Sequence, residues 1–120
     1  VVDKLFEGFT MAIHHASSGE LIDIRPLKGS LKTAVTKTLY KSNHLEVFRK
    51  ILLAGEAMSR HQVAGEITVQ CLEGSVDFSM GETHQLMREG DLKCLAGGEA
   101  HALKAVEDCS VLVTILLHGA

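Results

Sequence analysis

Tryptophan is absent from this 120-residue chain, and tyrosine occurs once, as Tyr40. A platform that stacks nucleobases needs several exposed rings, so a single-strand nucleic-acid surface is excluded. Basic residues are also in deficit. Twelve lysines and arginines face 15 acids, for a formal charge of -3, and no general positive field exists to recruit nucleic acid or anionic lipid. Proline occurs only as Pro26, which suits an edge or a loop. The three cysteines, Cys71, Cys94 and Cys109, show no CxxC spacing, and an odd number cannot pair completely. That pattern fits small core residues in a reducing cytoplasm better than a disulfide framework. Long apolar runs are missing too. The longest, residues 111–117, has Thr114 inside it and falls far short of the ~20 residues of a membrane helix. No basic-then-apolar leader opens the sequence. The expected location is the cytoplasm, with neither membrane nor nucleic acid as a partner.

What is present is an ordinary globular composition, 46% hydrophobic and 22% charged, in a length that suits one domain with its own core. Residues 1–20 are weakly patterned. Residues 3–9 are expected to make a helical turn presenting Leu5, Phe6 and Phe9, which Ser17-Ser18-Gly19 then breaks. Met11 reads as an internal start, so residues 1–10 are expected to be a dispensable appendage. The boundaries are thus an N-terminal extension over 1–20 and a single domain over 21–120.

From residue 35 onward the signal is β. A turn or short helix is expected over 30–34. Strands are then expected over 35–40, 45–53, 66–72, 76–80, 83–87, 92–95, 101–106 and 110–117, with turn residues at the corners. Leu45, Val47 and Arg49 share one side of the second strand, and Glu46, Phe48 and Lys50 the other. Ile67, Val69 and Cys71 alternate with Thr68 and Gln70. Short strands at intervals of about 8–12 residues point to an all-β sandwich or barrel.

Two stretches are more specific. Gly55-Glu56-Ala57-Met58-Ser59-Arg60-His61 runs on through Glu66 to Leu72-Glu73-Gly74. Gly90-Asp91-Leu92-Lys93-Cys94-Leu95-Ala96-Gly97-Gly98-Glu99-Ala100-His101 follows after a short interval. The first resembles the cupin motif G(X)5HXH(X)3-4E(X)6G. The second resembles G(X)5PXG(X)2H(X)3N, with Ala96 in place of the proline and Ala105 in place of the asparagine. The resemblance implies the cupin fold of small bacterial proteins, a double-stranded β-helix or jelly-roll barrel of the RmlC-like kind, enclosing a pocket.

Carried over residue by residue, the resemblance gives an incomplete metal set. His61 matches the first ligand and His101 the last, but Val63 stands at the second histidine and Ile67 at the glutamate. Glu66 is one residue early, on the opposite strand face. No cofactor is therefore expected beyond a weakly held divalent transition metal on His61 and His101. The pocket is expected to be lined by His61, Val63, Ile67, Val69, Cys71, His101 and Leu103, mostly apolar with few polar groups, as suits a small organic ligand. A Cys94–His101 pair is a further possibility for chemistry. The other histidines, His14, His15, His44, His84 and His118, read as surface or turn residues, and Glu56, Glu66 and Glu99 as solvated carboxylates.

The leading expectation is a small-molecule-binding cupin without assigned catalytic residues. Two other classes stay open: an enzyme, either a metal-dependent dioxygenase or a sugar-nucleotide epimerase or isomerase, and a structural or interaction module. A homodimer is expected as well, from Phe48, Leu52, Val111, Leu112, Val113 and Leu116, which are too apolar for both faces of a sheet to stay in water.

Overall fold

Ile67, Val69 and Cys71 are buried while Thr68 and Gln70 between them are half-buried, the period of two that a strand with one core face requires. The computed structural model describes residues 15–117. The helical turn expected over 3–9 and the appendage over 1–10 lie outside these residues. Nine strands follow in chain order: β1 Lys37–Lys41, β2 Leu45–Leu52, β3 Ala57–His61, β4 Ile67–Glu73, β5 Ser75–Met80, β6 Thr83–Arg88, β7 Leu92–Leu95, β8 His101–Ala105 and β9 Cys109–Leu116. They form two antiparallel sheets, a larger one in the order β1-β2-β9-β4-β7 and a smaller one in the order β3-β8-β5-β6. The all-β double-stranded β-helix expected from the motifs is the architecture observed.

Inner faces of both sheets meet in one core. Phe78, Leu103, Val69, Val76, Val111, Cys71 and Cys109 are all less than 2% exposed, and Phe48, Met58, Val63, Met80 and Ile115 pack around them. Each fully buried side chain of this size contributes about 1.5–3 kcal/mol of apolar transfer. On β2 the inward side is that of Phe48 and Leu52. Four of the six residues thought to drive pairing of two chains, Phe48, Leu52, Val111 and Val113, are therefore used inside the chain's own barrel. Leu112 and Leu116 remain on the outer face of the larger sheet.

β3 is the strand the hydrophobic pattern did not reveal. Its Met58 packs inward, but Ser59 and Arg60 are exposed, and its pairing with β8 shifts register between Met58 and His61. An edge strand with one neighbour and a bulge has little need of alternation. Ahead of β1, residues 28–33 form a 3-10 helix, Lys28–Thr33, with Leu31 buried beneath it.

This preceding segment is a strap fastened across the outer face of the larger sheet. Glu73, at the end of β4, accepts hydrogen bonds from the amides of Leu27 (3.0 Å) and Lys28 (3.1 Å) and from the Ser110 hydroxyl (2.7 Å). Leu27 is right-handed and Lys28 left-handed, with φ of 53°. Successive amides in that alternation converge into a concave anion seat, here filled by the chain's own carboxylate. Arg49 lies 3.5 Å from Glu73 and donates through Nη2 to the carbonyls of Arg25 (2.7 Å) and Ile24 (3.4 Å). The strap also reaches the edge of β1, where the Ala16 amide donates to the Leu39 carbonyl.

Two glycines explain themselves. Gly74, between β4 and β5, has φ of 77°, and a Cβ there would collide with the Asp108 carbonyl. Gly97 lets the β7–β8 loop press against the Ala64 carbonyl, while the neighbouring Gly98 amide donates to Val63 at 2.8 Å. That contact ties the loop before His101 to the loop after His61.

Candidate functional site

His61 ends β3 and His101 begins β8, and the two are direct partners in the antiparallel ladder. Their ring centroids lie 4.3 Å apart at an interplanar angle of 59°. Each ring is oriented by its own backbone. The His61 Nδ1 donates to the Ser59 carbonyl at 3.0 Å, and the His101 Nδ1 to the Glu99 carbonyl at 3.1 Å. A carbonyl only accepts, so each Nδ1 carries its hydrogen and each neutral ring keeps a lone pair on Nε2. No described residue hydrogen-bonds either Nε2.

His61 is half-buried and His101 only 2% exposed. Burial is the main cause that pulls the His101 pKa below its ordinary 6.5. The Glu99 carbonyl opposes that shift, and the nearby His61 adds to it. His101 is neutral at physiological pH. Its ring stacks on Phe78, with centroids 5.5 Å apart and planes 2° from parallel. On Phe78 also rests Lys93, with Nζ 5.1 Å from the ring centroid, a cation–π distance. The row of Lys93, Phe78, His101 and His61 thus links β7, β5, β8 and β3.

The other expected pocket residues divide into two groups. Val63, half-buried, and Ile67, 4% exposed, pack at the histidine end, with Ile67 opposite both Leu95 and Ile115. Val69, Cys71 and Leu103 are at most 1% exposed and belong to the packed core. Burial pushes the Cys71 thiol up to about 11 and the Cys109 thiol up to about 12, so neither is a ready nucleophile. The Cys94–His101 pair is not formed. Cys94 pairs with Thr68 on the outward face of the larger sheet, whereas His101 is buried in the smaller one. Cys94 and the exposed Glu66 instead line a cleft of about 430 Å3 on that outer face, with Thr68, Thr114 and Leu116. Another of about 490 Å3 lies between the strap and β1–β2, bordered by Leu39, Arg49 and Ile51. Tyr40, on β1, pairs with Val47 in the larger sheet, so it does not share the histidines' ladder.

A metal centre fits these residues poorly. Two imidazoles stand together with Nε2 uncommitted, but Val63 and Ile67 supply hydrocarbon where the resemblance would put further ligands. Among the described residues no group of three or more His, Cys, Asp or Glu side chains is placed to hold a metal ion. Three fixed protein donors are the usual minimum for a catalytic centre. No helix among the described residues is long and apolar enough to cross a membrane.

Sequence reasoning missed Lys93 and Phe78 as members of this row. Phe78 read as one more core residue, and nothing in Leu92-Lys93-Cys94-Leu95 tells which face of so short a strand turns inward.

No protein-family model and no curated protein matches the sequence. Solved structures do. A conserved protein of unknown function from Streptococcus pyogenes is 22% identical and superposes with a TM-score of 0.67, over 86% of this chain and 91% of that one. A cupin superfamily protein from Desulfitobacterium hafniense is 16% identical, with a TM-score of 0.70 over 85% of this chain and 99% of that one. An RmlC-like cupin with a double-stranded β-helix fold from Methanocaldococcus jannaschii is 16% identical, with a TM-score of 0.68 over 84% and 95%. With its two sheets, its motif glycines and its histidine pair at one end of the barrel, the chain has the fold of the RmlC-like cupins.

Proposed function

We propose that this cupin-fold chain binds a small organic molecule at the end of the barrel where His61 and His101 meet. The observation that carries the reading is the pair of oriented imidazoles, each with Nδ1 committed to its own backbone and Nε2 left without a described partner. Among the described residues only Arg49 Nε is buried without a hydrogen-bond partner, so an unpartnered Nε2 is open to one from outside. Two Nε2 acceptors beside Phe78, Val63 and Ile67 offer such bonds to the O–H or N–H groups of a compact ligand. Val69, Cys71 and Leu103 lie deeper in the packed core, so the ligand seat is the histidine end rather than the length of the barrel. The two buried thiols and the lack of disulfides among the described residues favour a reducing compartment such as the cytoplasm.

Native mass spectrometry of gently purified protein, followed by imidazole nitrogen NMR with the released compound, tests this reading. The expected result is a bound small molecule that shifts the Nε2 resonances of both histidines and is lost in His101→Ala. A co-purifying compound that leaves both resonances unmoved would refute it.

A further inference from the structure

Resting on the reading that a small molecule sits at the histidine pair, we infer that this molecule carries a compact anionic oxygen group, and that Lys93 holds it. Lys93 lies on β7, an edge strand of the larger sheet, opposite the buried Val69. Its half-buried side chain crosses toward the smaller sheet, where Nζ stands over the ring of Phe78. The same ring is stacked on His101. One aromatic side chain therefore carries a cation and a ligand-facing imidazole together.

Among the described residues that cation has no counter-charge. The ion pairs among the described residues use Arg25, Lys41, Arg49 and His84, and no described carboxylate oxygen comes within 4.0 Å of Nζ. Asp91, two residues earlier and the obvious candidate, accepts the Arg88 amide at 2.8 Å instead. Holding an ammonium half out of water without an anion is unfavourable, and the ring face offsets only part of that cost. An anionic group on the ligand would supply the missing partner. The uncommitted Nε2 atoms would meanwhile accept its hydroxyl hydrogens.

β6 and β7 are edge strands of the two sheets, and a hollow of about 320 Å3 lies between them, lined by Gln85, Leu86, Met87, Asp91, Leu92 and Lys93. Lys93 thus borders the opening where the two sheets part, with its Nζ over the Phe78 ring. A lysine ammonium is a point charge without a fixed fork, so it takes a carboxylate and a phosphate monoester alike.

The test is a titration of the full chain, with His61 and His101 imidazole nitrogens observed by NMR. The probes are lactate, malate and gluconate with their primary amides, and glycerol 1-phosphate with glycerol. At least one anionic probe should shift both histidines and bind about tenfold or more tightly than its neutral counterpart. In Lys93→Met, which keeps the apolar stem over Phe78, that advantage should fall to about twofold or less while the neutral probe keeps its affinity. Lys93→Arg should restore it. Unchanged melting of both variants shows that the fold is intact. Whether the carboxylates or the phosphate respond identifies the group. Equal binding of charged and neutral probes, or an advantage that survives Lys93→Met, overturns the role of Lys93 and leaves the histidine reading standing. If no probe of either kind moves the imidazoles, the histidine reading falls and the inference falls with it.

Discussion

Arg49 Nη2 and Glu73 Oε2 stand 3.5 Å apart on the outer face of the larger sheet, both almost wholly buried beneath the strap. Burial alone would raise the Glu73 pKa. The Leu27 amide, the Ser110 hydroxyl, the Lys28 amide and the Arg49 charge outweigh it and hold the carboxyl below its ordinary 4.5. Removing one partner of a buried pair typically costs about 3–5 kcal/mol. Glu73→Gln, which keeps the shape but loses the charge, should lower stability by about 2–3 kcal/mol in urea unfolding. The sign with pH follows from linkage. The unfolded carboxyl takes up its proton first as pH falls, so the contribution is full above about pH 4.5 and is lost as pH drops through the lower folded value. In Glu73→Gln the acid limb of the melting curve should be shallower.

His101 adds a second slope at higher pH. Its folded pKa lies below 6.5 because burial disfavours the imidazolium. The stability tied to the neutral ring is therefore full above 6.5 and declines as pH falls through the folded value. His101→Gln should reduce the loss of melting temperature between about pH 6.5 and 5.5. An unchanged slope would show that this ring is not what titrates.

Gly74→Ala should be among the most damaging single substitutions in the chain. Its φ of 77° strains any side chain, and the added methyl meets the Asp108 carbonyl and the Cys109 Cβ, both backbone-anchored. The expected loss is at least about 2 kcal/mol. Gly55→Ala meets a similar φ but open space and should cost about 1 kcal/mol. Chemical denaturation of the two variants side by side checks the order.

Protein purified without a metal column should carry well under one equivalent of transition metal by elemental analysis, since two imidazoles hold a divalent ion less well than a closed set. Val63→His with Ile67→Glu should raise affinity. The new glutamate enters a site where Ile67 is 4% exposed, so the apo variant should be destabilised and the loaded one rescued. Stoichiometric metal in the unmodified protein, lost on His101→Ala, would contradict this expectation.

Association is expected through the outer face of the larger sheet. Leu45 pairs with Leu116, Leu112 lies between Arg49 and Gln70, and Leu92 and Leu116 are 58% and 49% exposed. A two-fold pair would bury this face. Light scattering should give a dimer mass at micromolar concentration and a monomer for Leu112→Arg with Leu116→Glu.

The sequence showed eight of the nine strands because turn residues punctuate them and several carry an apolar face. Val76, Phe78 and Met80, for example, alternate with polar partners. The two motifs added the barrel and the positions of His61 and His101. β3 was hidden because Ser59-Arg60 faces solvent at a bulged edge. The clamp was hidden because Glu73 and the Leu27 amide are 46 residues apart, and no local pattern announces a carboxylate buried in a seat of backbone amides. Lys93 was hidden for a related reason. A lysine on a four-residue edge strand reads as solvated until the aromatic ring opposite it is known.

The sheet order has a consequence for the order of synthesis. β9 is the last strand in chain order among the described residues, yet it occupies the middle of the larger sheet, between β2 and β4. Until it emerges, β2 and β4 have no common neighbour, and the larger sheet that carries Phe48, Leu52, Ile67 and Val69 stays split. A growing chain that has made β1 to β8 holds both histidines and both motifs but not a barrel. Pairing over such sequence distances is slow and leaves apolar strand edges open while it waits. The nascent protein should therefore lean on chaperones until residue 116 has left the ribosome.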